Sequence, residues 1–354
     1  MRHQPTRPAR QASRVSRSRR ALVAAALVLG LAACAGGSSD VVGVPVAADV
    51  GATTVLSLSA YAVPKLAFDA LVPAFERTPA GRGTTVRQSY GASGDQSRKV
   101  AAGAPADVVA YSAEPDVTRL VDAGLVDPSW DAGPAHGVPY GSVVTIVVRN
   151  GNPRHITDWG DLLAPGVEVV TPNPFSSGSA KWNLLAPYAV ASRGGADPAA
   201  GLAFVSALVS DHVRLQPKSG REATEAFLHG SGDALLSYEN EALFLERDGE
   251  PVEHVTPAQT FRIDNPVAVL SGSAHRATAR AFVDFLFTPT AQTLLAEAGF
   301  RPVDPGVAAR FARRFPTPAR LWTVADLGGW PRVDADLFAK DSGTIAAAYD
   351  RATQ

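Results

Sequence analysis

Apolar positions along this chain change their spacing repeatedly, and each change marks an element. Residues 54–58 form a short apolar run that reads as a buried strand. From Pro64 onward the apolar positions fall at Leu66, Phe68, Leu71 and Phe75, the spacing of one helix face, and Pro64 suits a first helical turn. A second strand is predicted over 84–89 and a third over 106–111, with helices over 97–103 and 116–123, the latter stopped at Gly124. Further strands are predicted over 143–148, 167–171, 234–238 and 266–270. Between and after them, helices are predicted over 181–192 (despite Pro187), 199–209, 222–228, 239–246, 276–287 and 290–297. Such alternation implies parallel α/β sheets flanked by helices. No internal repeat of fixed period is visible.

Three Gly/Ser turns lie where a strand hands over to a helix: 91–96, 176–182 and 218–222. A helix start presents unpaired backbone N–H groups and the positive end of the helix dipole, which together suit an anion. One serine at such a place is an ordinary N-cap. Three at strand ends are different, because ligands of open parallel sheets sit beyond the carboxyl ends of the strands. The anion reading therefore outweighs the capping one. Tyr238 ends a strand, and is either a hydroxyl donor to a ligand or a core aromatic with a wet tip. Arg221 follows Gly220 and either approaches the anion or pairs with Glu222 or Asp116. Trp159 and Trp182 read as packing residues.

Composition narrows the class. Seven arginines and no acid fall in the first 20 residues, an apolar stretch covers 21–33, and Leu31-Ala32-Ala33 precedes Cys34, the only cysteine among 354 residues. This is a secretory signal over 1–33, with Cys34 either a lipidated first residue or incidental, and Ser18-Arg19-Arg20 leaves a twin-arginine route open. Residues 34–52 read as a flexible tether. The stretch of 13 apolar residues is shorter than a bilayer span, about 20 residues. Without the seven arginines the chain has 26 basic and 34 acidic residues, a charge near −8, which argues against nucleic acid as a partner. No P-loop, dinucleotide fingerprint, nucleophile elbow or metal spacing is present, so neither an enzyme nor a metal or other cofactor is expected. His155, His212, His229, His254 and His275 are expected on the surface. About 300 residues after the tether suggest two lobes.

Several stretches resemble the sulfate/thiosulfate-binding proteins of bacterial ABC importers. They are Arg87-Gln88-Ser89-Tyr90-Gly91-Ala92-Ser93-Gly94, Ala106-Asp107-Val108-Val109, Asn152-Pro153, Asp158-Trp159-x-Asp161-Leu162, Thr171-Pro172-Asn173-Pro174-x-Ser176-Ser177-Gly178, Gly232-Asp233-Ala234-Leu235-Leu236, Glu239-Asn240-Glu241-Ala242 and Phe300-Arg301-Pro302. The resemblance implies a two-lobed periplasmic-binding-protein fold with hinge crossings near 139–143 and 264–267. Lobe 1 then comprises 53–140 plus 266–354, and lobe 2 comprises 141–265. It implies that Ser93, Ser177, Gly178, Ser179 and Gly220 bind sulfate through hydrogen bonds alone, with Asp116 and Arg221 as supporting charges. Three positions depart from the family pattern: Ser179 replaces a glycine, Tyr90 a supporting histidine, and Tyr238 a tryptophan donor. A donor-only site satisfies fully ionised sulfate and penalises hydrogen phosphate. The expected partners are sulfate or thiosulfate, an ABC permease with its ATPase, and the membrane through lipid on Cys34; the chain is expected to be a monomer. Molybdate or phosphate binding, or a non-transporting surface lipoprotein, are the competing readings.

Overall fold

The computed structural model describes residues 54–352. The signal, tether and lipidation expectations, Cys34 among them, lie outside the described residues. The described chain opens with β1 (Thr54–Tyr61), α1 (Lys65–Glu76), β2 (Thr84–Gly91), α2 (Ser93–Ala101), β3 (Val108–Ala110) and α3 (Glu114–Asp122). A long strand follows, β4 (Tyr140–Arg149), then β5 (Val169–Val170), α4 (Gly178–Ala191), α5 (Pro198–Ala207), β6 (Val213–Leu215), α6 (Gly220–Leu228), β7 (Ala234–Tyr238) and α7 (Glu239–Arg247). Next come β8 (Val252–Val255), β9 (Gln259–Asn265), β10 (Val267–Val269), α8 (Arg276–Leu286), α9 (Pro289–Glu297), β11 (Arg301–Pro302) and α10 (Pro305–Arg310). The last elements are β12 (Arg320–Trp322), α11 (Trp330–Val333) and α12 (Thr344–Ala352).

Two sheets result, one per lobe. The first runs β10-β3-β1-β2. In it β1 lies parallel to β2, from Thr54 opposite Thr84 to Tyr61 opposite Gly91, and parallel to β3, while β10 is antiparallel. The second runs β12-β9-β4-β7-β5-β6, with β8 and β11 also on β4. It is more mixed than the alternation of elements implies. β4 is antiparallel to β7, β8, β9 and β11, whereas β5 is parallel to β6 and β7. Its apolar run Val143–Val148 is buried along its whole length, as suits a strand covered on both faces. The chain passes between sheets where β9 ends and β10 begins, across Asn265-Pro266-Val267, and where β4 starts at Tyr140 opposite Asn265.

Packing follows the sequence pattern. α1 buries Phe68, Leu71 and Phe75, and Phe75 meets Phe282 of α8 edge-on at 5.0 Å. α4 is apolar all round and correspondingly buried, which keeps it helical across Pro187. A proline there removes the N–H that would bond the carbonyl of Asn183, a cost of about 3 kcal/mol in an exposed helix. Asn183 instead fixes the helix from its side chain, donating from Nδ2 to the Leu236 carbonyl at 2.7 Å. His212 departs from the surface expectation. It is buried, with Nδ1 2.9 Å from the Val167 carbonyl, because the helical turn that carries it packs inward against the start of β5.

The tail also departs from the expected split. β12 joins β9 of the second sheet, α12 packs on α5, and Trp330 meets Trp182 of α4 at 4.8 Å. Residues 320–352 therefore belong with the second sheet, because their aromatic and aliphatic side chains find their burial there.

Candidate functional site

Four helices start from the carboxyl ends of strands on the two sides of the interlobe contact. Three of them carry the Gly/Ser turns: α2 begins at Ser93, α4 at Gly178 and α6 at Gly220. Their first residues have no intrahelical acceptor for their N–H groups. The fourth, α3, puts Asp116 in its first turn.

Ser93 is buried and its hydroxyl is fully used. It donates to Asp116 Oδ2 at 2.6 Å and accepts from the Ser112 N–H at 2.9 Å. What Ser93 can still offer is its backbone N–H. Asp116 in turn receives Arg119 Nη1 on Oδ1 at 3.1 Å, so its carboxylate is engaged on both oxygens. Arg119 also reaches Ser97 Oγ at 2.8 Å, and the Ser97 hydroxyl donates to the Asp116 carbonyl at 2.6 Å.

Across the interface, Ser177 occupies the N-cap position of α4, yet its side chain makes no capping bond. Its hydroxyl instead lies 2.9 Å from Ser179 Oγ, while its own N–H donates to the Asn173 carbonyl at 2.9 Å. Ser219 is the ordinary cap of the three turns, accepting from the Glu222 N–H at 3.2 Å. Gly220 lies against Ser179 and Val63: a Cβ placed on it would stand 2.9 Å from Ser179 Oγ and 3.3 Å from Val63 Cγ2. A Cβ on Gly178 would stand 2.7 Å from Ser112 Oγ and 3.3 Å from Asp116 Oδ2. The Gly94 N–H donates to the Ser176 carbonyl at 3.0 Å, closing the gap between α2 and the turn before α4. The structure thus brings Ser93, Asp116, Ser177, Gly178, Ser179, Gly220 and Tyr238 into one contact network.

Tyr238 is buried, and its Oη lies 2.7 Å from Ser112 Oγ. Burial pushes its phenol well above the ordinary tyrosine value, so it stays neutral. Tyr90 is not part of the network. It is buried beneath Lys65 and donates its hydroxyl to Gln88 Oε1 at 2.5 Å. Arg221 pairs with buried Glu241, Nη2 to Oε1 at 3.0 Å, and Glu241 also accepts from the Thr224 hydroxyl at 3.2 Å. Burial pushes the Glu241 carboxyl up, against the opposing pull of Arg221 and Thr224.

Sequence reasoning missed three residues. Ser112 receives the Trp182 indole N–H at 2.8 Å and Asn265 Nδ2 at 3.0 Å on its carbonyl. Trp182 therefore does more than pack. Val63, at the β1-to-α1 turn, faces Gly220. A lone serine after a three-residue strand has no periodicity to betray it; the β1-to-α1 turn is visible as one more strand-to-helix junction. Among the described residues no cluster of side chains suits a metal ion.

A two-lobed α/β frame that gathers helix starts between its halves is the architecture of a solute-binding protein. Residues 56–301 match the family model of the bacterial extracellular solute-binding proteins. The chain is 38% identical over 327 residues to the sulfate-binding protein of Synechococcus elongatus, covering 90% of this chain and 92% of that one. It is 33% identical to the thiosulfate-binding protein of Pseudomonas aeruginosa, covering 78% and 86%. The solved structure of the sulfate-binding protein SubI from Mycobacterium tuberculosis is 61% identical, with a TM-score of 0.79, covering 80% of this chain and 99% of that one. The chain belongs to the bacterial extracellular solute-binding proteins, in the family of the sulfate- and thiosulfate-binding proteins.

Proposed function

We propose that this chain captures sulfate between its lobes and hands it to an ABC importer outside the cytoplasm. The reading is supported by the contacts that draw together the starts of α2, α4 and α6, Gly94 N–H on the Ser176 carbonyl, Gly178 against Ser112 and Gly220 against Ser179, and we take the neutral donors there as the ligand's partners. The donors are the backbone N–H groups of Ser93, Gly178, Ser179 and Gly220, the Ser177 hydroxyl, and one proton from the Ser112–Tyr238 pair. Sulfate offers only acceptors, so such a ring satisfies it without a metal or a direct counter-charge. About six hydrogen bonds to a charged group, at about 1.5–3 kcal/mol each, give roughly 9–18 kcal/mol before desolvation and closure are subtracted. That leaves room for a micromolar dissociation constant, about −8 kcal/mol. Asp116 and Arg119 act as scaffold to Ser93, and Arg221 with Glu241 as scaffold to the start of α6. The family's proteins bind their solutes rather than transform them, and this chain is read in the same way. Lipidation at Cys34 supplies the membrane attachment, and a Cys34→Ala chain would then leave the membrane fraction.

Calorimetry with sulfate tests the reading. Ser177→Ala should weaken binding by about 1.5–3 kcal/mol, the worth of a hydrogen bond to a charged group. Unchanged affinity would remove Ser177 from the site, and no heat with sulfate for the unaltered protein would refute the function.

A further inference from the structure

The start of α4 carries three of the proposed donors, Ser177, Gly178 and Ser179, yet it lacks the device that ordinarily firms a helix start. Ser177 stands at the N-cap and makes no capping bond, whereas Ser219 caps α6. An uncapped first turn frays, and a frayed turn does not hold its N–H groups in one direction. Its firmness has to come from contacts made by the neighbouring side chains.

Those contacts come from the end of the chain, the segment 330–352, which lies over α4 as a strap. Phe175, just before the donors, meets the ring of Tyr349 in α12 edge-on, with centroids 6.1 Å apart and planes at 85°. Lys181, just after them, is paired with Asp334 and stands over the rings of Trp330 and Phe338 at 5.9 and 5.2 Å. Trp182 meets Trp330 edge-on, 4.8 Å apart and at 76°. The same Trp182 indole donates to the Ser112 carbonyl of the other lobe at 2.8 Å. The contacts thus bracket the donors on both sides, and none of them takes up an N–H or hydroxyl of Ser177, Gly178 or Ser179. Toward the far end of α4, at Tyr188, a crevice of about 260 Å³ opens under the strap, with Leu202, Leu327 and Leu337 on its walls. The strap therefore grips the start of α4 more closely than its far end. It also lies outside the stretch that matches the family model, which ends at residue 301.

We propose that this strap is a positioning brace for the sulfate turn: Trp330 and Tyr349 hold the start of α4 in the shape that presents Ser177, Gly178 and Ser179, and so set affinity without touching the ligand. The proposal rests on the sulfate reading given above. A conventional cap would spend the Ser177 hydroxyl on the helix's own N–H groups and withdraw both from an anion. A brace that acts through Phe175, Lys181 and Trp182 spends neither. Edge-on aromatic pairs and a lysine over aromatic rings suit the task, because they fix direction as well as distance.

Calorimetry of the mature chain with sulfate, beside urea unfolding of the same samples, tests the proposal. Trp330→Ala and Tyr349→Ala should each weaken sulfate binding by about tenfold, a factor equal to about 1.4 kcal/mol. Trp330→Phe keeps an edge-on ring and should retain most of the affinity. Leu337→Ala, on the crevice side of the strap, should lower the unfolding midpoint and leave the dissociation constant of the folded protein unchanged. Tyr349→Ala keeps the test open if Trp330→Ala folds poorly. Unchanged sulfate affinity in both alanine variants, with only stability lost, would overturn the brace and leave the sulfate reading standing. A loss of affinity as large in Leu337→Ala would also overturn it, since any loosening of the strap would then have the same effect. No heat with sulfate for the unaltered protein would overturn the sulfate reading and the proposal with it.

Discussion

Gly178→Ala puts a single methyl group at a crowded point between the lobes. The new Cβ would stand 2.7 Å from Ser112 Oγ, 2.8 Å from Ser112 Cβ and 3.3 Å from Asp116 Oδ2. Ordinary carbon contacts lie near 3.5–4.0 Å, so about 1 Å must be found. Ser112 cannot supply it cheaply, since its N–H and carbonyl make three hydrogen bonds that a retreat would stretch. Gly178 itself starts a helix and is not among the residues of positive φ, so the strain is steric and arises where α4 meets Ser112 and Asp116. Overpacking of this kind costs about 1–3 kcal/mol. If closure is what sulfate selects, the cost appears as a dissociation constant weaker by roughly 5- to 150-fold, at about 1.4 kcal/mol per tenfold. Calorimetry measures this directly, and Ser112→Gly introduced beside Gly178→Ala should recover part of the loss by removing the obstructing atoms. Unchanged affinity in Gly178→Ala, or no recovery in the pair, would refute the reasoning.

Three further outcomes follow from other contacts. Arg301 grips buried Glu239 with two hydrogen bonds of 2.7 and 2.8 Å, so Arg301→Ala should strand a buried carboxylate and lower stability by about 3–5 kcal/mol in urea unfolding. A loss under about 1 kcal/mol would refute the expectation that Arg301 is the partner Glu239 depends on. Trp182→Phe deletes one of two donors to the Ser112 carbonyl and leaves Asn265 in place, so sulfate binding should weaken by about 1 kcal/mol with the fold intact. Glu241 gives a pH signature. Its folded value is raised by burial, so its stabilising contribution is complete below the ordinary 4.5 and is lost as pH rises through the raised value. The stability advantage of Glu241→Gln over the unaltered chain should therefore widen with pH across that window, and parallel profiles would remove Glu241 as the cause.

The parts legible in the sequence were those with local physics behind them. The three Gly/Ser turns announce helix starts because small residues before a helical period have few other uses, and α2, α4 and α6 begin there. β1 and β4 were legible as apolar runs. What the turns could not disclose was which atoms remain available. Ser93 spends its hydroxyl on Asp116, and only coordinates reveal this. Arg221 meets Glu241, a residue 20 positions on, which no local spacing discloses. Ser112 is silent in sequence because its importance comes from contacts 19 to 153 residues away. β6, β8, β9 and β12 are short or polar at alternate positions, so pairing with neighbours, rather than propensity, makes them strands. The tail was misplaced because apolar residues near the end of a chain carry no mark of which sheet they will cover.

That tail has a practical consequence. β1 begins in the first sheet, whereas α12 ends against α5 on the side of the second. If capture closes the lobes as proposed, a surface or leash gripping the amino end steadies the half that carries Ser93, and the half that carries α4 and α6 is the part left to swing. Dyes attached to the two halves would then act as a ruler across the gap, and a reading unchanged by sulfate would refute the motion.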